Sequence, residues 1–149
     1  MQMGISLVED FLKSVEALFP TPLSQRQNLS NYAQKLVDKA TLCVSVDKER
    51  IVSMVAGYTD NLEKNMAYIA LVATLPEFKG KGLATSLIRQ FIDICISKSV
   101  TAIHLYTDRS NFAAINMYKK LGFEEWLLKD EPRPNDLHFI YYLKNEDNK

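Results

Sequence analysis

The sequence predicts an α/β fold: a mixed sheet of about six strands, preceded by two amphipathic helices, crossed by a parallel strand-helix-strand unit and closed by an antiparallel pair. Three observations carry this expectation. Apolar residues recur at helical spacing up to residue 40 and alternate from residue 41. An apolar run at 67–74 is followed by one long helical pattern and a second apolar strand, a spacing that suits a right-handed parallel crossover. Two further strand patterns flank a polar, proline-containing loop near the end.

Val8, Phe11, Leu12, Val15, Leu18 and Phe19 mark the first helix, and Leu29, Tyr32, Ala33, Leu36, Val37 and Ala40 the second. The prolines at 20 and 22 forbid a continuous helix and make residues 20–24 a stiff connector. Leu42, Val44 and Val46, a turn over 47–50 and a strand over 51–58 form a hairpin. A polar loop through Asp60, Asn61, Glu63, Lys64 and Asn65 leads to 67–74, which lacks alternation and is expected to be a central strand covered on both faces. Leu83, Ala84, Leu87, Ile88, Phe91, Ile92 and Cys95 give a helix, 100–107 a strand, and Ala114, Met117, Tyr118 and Leu121 a short helix ended by Gly122. Residues 123–129 and 137–143 are expected to pair across the loop 130–136, and 145–149 to fray.

The 149 residues, 47% apolar, suffice for the core of one domain spanning 1–149. Lys plus Arg equals Asp plus Glu at 18 each, so no charge surplus drives binding to nucleic acid or an anionic membrane. Glu9 and Asp10 interrupt the stretch a secretory signal would need, and the run 67–73 is far shorter than the roughly 20 residues of a membrane span. Cys43 and Cys95, widely spaced in apolar surroundings, are expected to be buried thiols, with neither a disulfide frame nor a metal site. The cytoplasm is the expected compartment.

The chemistry gathers at Pro76-Glu77-Phe78-Lys79-Gly80-Lys81-Gly82-Leu83-Ala84-Thr85, where a central strand gives way to a helix. The first turn of a helix leaves backbone N–H groups without partners, glycines admit a phosphate close to them, and Lys79 and Lys81 add positive charge. A diphosphate is the ligand such a loop suits. It is not a Walker loop, because Gly80-Lys81 is followed by Gly82, and it lacks the third glycine of a dinucleotide fingerprint, Thr85 standing there. Alone, a Gly-x-Gly also serves as a plain tight turn.

A second segment, Asn111-Phe112-Ala113-Ala114-Ile115-Asn116-Met117-Tyr118-Lys119-Lys120-Leu121-Gly122-Phe123, follows the next parallel strand. Together, in order and spacing from Thr41 to Phe123, the two segments resemble the GNAT superfamily of acetyl-CoA-dependent N-acetyltransferases. The resemblance implies the GNAT-like fold, with the CoA pyrophosphate wrapped by Lys79, Gly80, Lys81, Gly82, Leu83 and Ala84, Thr85 close by, and the pantetheine arm along Val72, Ala73 and Thr74. Glu77 stands where the family usually has Arg or Gln. Asn111 matches a position that contacts the CoA arm, and Tyr118 the tyrosine that protonates the departing thiolate, although an aromatic at that spacing also suits a helix's core face. Many members carry a glutamate five residues before that asparagine; here it is Tyr106, a poor base, which leaves the general base open among Tyr106, Glu77, Asp108 and a water. His104 and His138, isolated on strands, are taken for structural residues. The family's first strand is absent or reduced to residues 1–4.

The implied function is direct acetyl transfer from acetyl-CoA to a primary amine of a small molecule. A protein or peptide amine is the alternative acceptor, and a non-catalytic acyl-CoA-binding or regulatory domain the alternative function. Homodimerisation stays open. Residues 20–24 and 130–136 are expected to flank the acceptor, and Glu124, Glu125, Asp130, Glu131 and Asp136 offer negative charge to a cationic amine.

Overall fold

A computed structural model of the chain describes residues 4–60 and 63–143. The frayed end expected at 145–149, Asn61 of the polar loop and residues 1–3 of the reduced first strand lie outside the described residues; Gly4 is extended ahead of the first helix. The strands β1 (Thr41–Asp47), β2 (Arg50–Tyr58), β3 (Met66–Thr74), β4 (Ala102–Asp108), β5 (Glu124–Glu125) and β6 (Asp136–Tyr142) form one sheet in the order β1-β2-β3-β4-β6-β5. Two compact units divide the chain: one takes the chain up to Gly57 with Leu71–Phe91, the other Tyr58–Ala70 with everything from Ile92.

In the first unit, α1 (Ile5–Val15) buries Val8, Phe11, Leu12 and Val15. The apolar pattern predicted helix through Phe19, but the α-helix stops at Val15 and tightens into a 3-10 turn, Glu16–Leu18, which leaves Leu18 exposed. The cause is Pro20: the residue before a proline is driven out of the helical region, and Phe19 is extended at ψ 148°. Glu16 accepts hydrogen bonds from the backbone and hydroxyl of Ser24 and so ties down the connector. The helix α2 (Leu29–Lys39) is capped by Asn28, whose Oδ1 accepts from the Asn31 N–H at 3.0 Å. Its Leu29, Tyr32, Ala33 and Leu36 join the α1 face, Val52, Met54 and Ala56 of β2, and Leu71 and Ala73 of β3 in one buried cluster. The β1–β2 hairpin carries an irregularity after Ser45, so that Val46 faces Ile51 while Ser45 faces Ser53.

The second unit is built on β4. It pairs in parallel with β3 from Met66↔Ala102 to Ile69↔Leu105 and antiparallel with β6 along its whole length. The expectation that β3 is covered on both faces is corrected. Burial alternates: Ala67, Ile69, Leu71 and Ala73 are buried, and Tyr68, Ala70, Val72 and Thr74 only half-buried. A run of apolar letters reports side-chain type, not how many faces are covered.

The crossover helix α3 (Leu83–Ser97) buries Leu87, Ile88, Phe91, Ile92 and Cys95. The helix α4 (Phe112–Leu121) ends as expected at Gly122, where the Phe123 N–H donates to the Tyr118 carbonyl at 3.0 Å and the Gly122 N–H to Lys119 at 3.1 Å, a Schellman closure. Residues 123–129 do not all join the sheet: β5 is only Glu124–Glu125, one further bond runs from the Trp126 N–H to the His138 carbonyl at 2.7 Å, and Leu127 is exposed. Among the described residues no helix is long and apolar enough to cross a membrane.

The two-residue turn of the β1–β2 hairpin places Lys48 at φ 51° and Glu49 at φ 66°, left-handed positions that favour Asn-Gly. Replacing Lys48→Asn and Glu49→Gly together is expected to raise unfolding stability by about 1 kcal/mol, because relief of left-handed strain exceeds the added freedom of the unfolded glycine. The urea midpoint should rise at constant slope; a lower midpoint would show that the present side chains make stabilising contacts.

Candidate active site

After β3 the chain turns through a 3-10 segment, Pro76–Phe78, and reaches α3 across Lys79, Gly80, Lys81 and Gly82. Gly80 and Gly82 lie at φ 80° and 78°, and a Cβ built on either would meet nothing within 4 Å. Glycine is therefore required there by backbone conformation, and the space beside it is open. The Ser86 N–H donates to the Gly82 carbonyl at 3.0 Å and so begins the helical ladder, which leaves the first-turn N–H groups of Leu83, Ala84 and Thr85 ahead of it. Lys79 and Lys81 are exposed, and the Lys81 ammonium lies 5.1 Å from the centre of the Phe78 ring. α3 begins at Leu83, so both glycines belong to the loop.

Glu77 is exposed and faces Arg50 at 3.6 Å. The end of β3 is anchored by Ser53, whose hydroxyl lies 2.7 Å from that of Thr74 and donates to the Ala73 carbonyl at 3.3 Å. Ala73 is buried, while Val72 and Thr74 face the half-open side.

In the second unit Asn111 is the N-cap of α4, its Oδ1 accepting from the Ala114 N–H at 3.2 Å. One turn from the helix end, Tyr118 is 5% exposed, with its ring 5.8 Å from Phe123 and 6.0 Å from Phe139. Burial pushes its phenol pKa well up, so it keeps its proton at neutral pH. The core and donor readings of Tyr118 are thus compatible.

The feature missed in the sequence is on the face of β4 away from Ile103 and Leu105. Parallel pairing sets Tyr68 beside His104, and antiparallel pairing sets Tyr106 beside His138. The His104 Nδ1 is 2.9 Å from the His138 Nε2, and the His138 Nδ1 is 2.8 Å from the Glu131 Oε2. The other Glu131 oxygen accepts from the Tyr106 hydroxyl at 2.8 Å and the Arg133 N–H at 2.9 Å. Tyr106 stacks on His138 with centroids 4.0 Å apart, and Trp126 packs on His138 at 4.8 Å.

Electrostatics follow from this wiring. Burial pushes the Glu131 carboxyl pKa up, but the hydrogen bonds from Arg133, His138 and Tyr106 outweigh it and leave the pKa lowered. Tyr106, half-buried and donating to that carboxylate, has its pKa raised by desolvation and by that bond, and holds its proton. Burial, and then His138, push the His104 pKa down to about 4. The only advance signal was the period-two spacing of His104 and Tyr106; the partner register that adds His138 is not written in either strand.

The profile described as the acetyltransferase (GNAT) family matches residues 6–123. The chain belongs to the GNAT family. The N-alpha-acetyltransferase 30 of Schizosaccharomyces pombe is 32% identical over 82 residues, 54% of this chain and 55% of that protein. The L-2,4-diaminobutyric acid acetyltransferase of Vibrio cholerae is 27% identical over 104 residues, 70% of this chain and 60% of that protein. The chain thus spans little more than half the length of these two relatives. Among solved structures, the Thermoplasma acidophilum PaiA N-acetyltransferase in complex with coenzyme A superimposes with a TM-score of 0.75 at 14% identity over 96% of this chain and 97% of that one. A GNAT acetyltransferase from Staphylococcus aureus Mu50 gives 0.76 at 16% identity over 97% and 98%. These likenesses establish the GNAT fold with its mixed sheet, parallel pair and four helices.

The histidine wiring makes stability depend on pH. Folded His104 stays neutral down to about pH 4, whereas an unfolded imidazole takes its proton near 6.5. Between those values the unfolded chain binds the extra proton, so stability present above pH 6.5 is lost as pH falls towards 4. His104→Gln is expected to flatten that dependence, measured by urea unfolding across this window. An equally steep curve in the variant would show that His104 is not the group responsible.

Proposed function

We propose that this chain transfers an acetyl group from acetyl-CoA to a primary amine of a small molecule, by direct attack of the amine on the thioester carbonyl. The observation that carries the reading is the loop before α3, with two left-handed glycines, open space beside them, first-turn N–H groups and two exposed lysines, in a GNAT chain. Lys79, Gly80, Lys81, Gly82, Leu83, Ala84 and Thr85 hold the pyrophosphate, chiefly through backbone N–H groups. Val72, Ala73 and Thr74 offer a strand end to the pantetheine arm. The CoA complex of the similar PaiA protein supports the cofactor, and the diaminobutyric acid and mycothiol acetyltransferases among the relatives support a small acceptor.

Direct attack suits the thiols. Cys43 and Cys95 are both buried, and burial pushes the Cys43 pKa up to about 11, which removes the thiolate a covalent intermediate would need. Tyr118, protonated at neutral pH, gives its proton to the CoA thiolate as it leaves. The Asn111 side chain orients the CoA arm with its amide while its oxygen caps α4.

Thiol release from acetyl-CoA is measured with L-2,4-diaminobutyrate and with a short peptide bearing a free amino terminus. Release with the first supports a small acceptor, release with the second alone replaces it by a peptide amine, and CoA binding without release above background makes the chain an acyl-CoA sensor. With an active acceptor, Tyr118→Phe should lower kcat by about 10²-fold or more and leave acetyl-CoA affinity nearly unchanged. A Phe variant with wild-type turnover under rate-limiting chemistry removes the phenol from the mechanism. Asn111→Asp keeps the cap and should weaken CoA in calorimetry; unchanged affinity with unchanged stability would reduce Asn111 to a cap.

A further inference from the structure

We propose that Glu131, His138 and His104 form a proton relay whose outer end, the Nε2 of His104, takes a proton from the ammonium group of the acceptor. The inference rests on the acetyltransferase reading above and supplies the base that reading lacks.

The direction of the relay follows from counting donors. An ionised Glu131 can only accept, so the His138 nitrogen facing it, Nδ1, carries a hydrogen. A neutral His138 is then bare at Nε2, and the His104 nitrogen 2.9 Å away must donate to it. His104 is therefore protonated at Nδ1 and bare at Nε2, tautomers assigned from the network. Among the described residues nothing hydrogen-bonds that bare nitrogen, and no buried polar side-chain atom lacks a partner, so it reaches solvent. A basic nitrogen at the open end of a wired chain whose middle ring, His138, is buried is arranged to receive a proton.

The step balances without any other reagent. The ammonium N–H bond breaks as the proton joins His104 Nε2, the Nδ1 proton of His104 passes to His138 Nε2, and the amine keeps its lone pair for attack on the thioester. His138 becomes an imidazolium whose Nδ1–H stays on the Glu131 carboxylate, and the proton later returns to solvent by the reverse path. His104 alone would hold a proton poorly, since burial and His138 push its pKa down to about 4. The relay puts the charge on the ring that faces the anion.

The other groups around the chain keep this polarity. The Tyr106 hydroxyl and the Arg133 backbone N–H fill the second Glu131 oxygen, the Arg133 guanidinium lies 4.6 Å over the Tyr106 ring and pairs with Asp136 at 2.9 Å, and Tyr68 packs against His104 at 5.0 Å. Both ring nitrogens of His138 are engaged by neighbours, so the three residues present no common face to a metal.

Two measurements decide it. Nitrogen NMR of the imidazoles in the intact chain near pH 7.5 should show both histidines protonated at Nδ1; His104 protonated at Nε2 instead overturns the relay, whatever the activity. With acetyl-CoA and whichever of L-2,4-diaminobutyrate or the short peptide the wild type accepts, His104→Gln should lower kcat/KM about 10²-fold near neutral pH. The deficit should shrink as pH approaches the acceptor's own pKa, with acetyl-CoA affinity unchanged. Glu131→Gln should show a smaller loss with the same pH profile, which a purely structural role would not produce, and it serves if His104→Gln folds poorly. Wild-type kcat/KM in both variants at every pH overturns the relay and leaves the acetyltransferase reading standing, whereas a wild type that releases no thiol with either acceptor overturns both.

Discussion

Burial of one face of β4 is the constraint on which the second unit depends. Ile103 and Leu105 are sealed, and a strand's period of two then obliges His104 and Tyr106 to share the opposite face. Pairing with β6 extends both faces at once: Phe139 lies opposite Leu105 in the core, and His138 opposite Tyr106 on the polar side. The same Phe139 ring packs against Tyr118, so the registry that seats the phenol also seats the histidines. A slip of one residue would exchange the core for the polar network.

Glu131 holds that network together although it comes from an irregular loop. Pro132 and Pro134 withhold backbone donors from this segment, and its order comes from side chains instead. Arg109, just past β4, donates to the carbonyls of Pro134 and Asp136 at 3.2 and 3.3 Å, and Arg133 returns to Glu131 and Asp136. The exposed Arg133–Asp136 pair contributes little by itself, on the order of 1 kcal/mol or less. Its value is positional, since it holds the carboxylate where the His138 ring and the Tyr106 phenol reach it.

The loop before α3 works by a different economy of structure. Gly80 and Gly82 hold left-handed backbone, and a side chain built on either would stand in open space. Glu77, at the position where the family usually has Arg or Gln, pairs instead with Arg50 across 3.6 Å.

The sequence by itself determined the helix and strand order and the glycine loop ahead of α3, because each depends on residues adjacent in the chain: apolar periodicity and glycines needing left-handed backbone. It also placed Tyr118 on a helix face. It overextended α1 past the reach of Pro20, covered both faces of β3 and lengthened β5, since coverage and strand pairing depend on elements far away in the chain. His104 and His138 lie 34 residues apart and Glu131 sits between them in sequence, so each was an isolated residue until β4 and β6 met. Only the tertiary structure decided that they touch, because register across an antiparallel pair is set by which faces bury together and not by the letters of either strand.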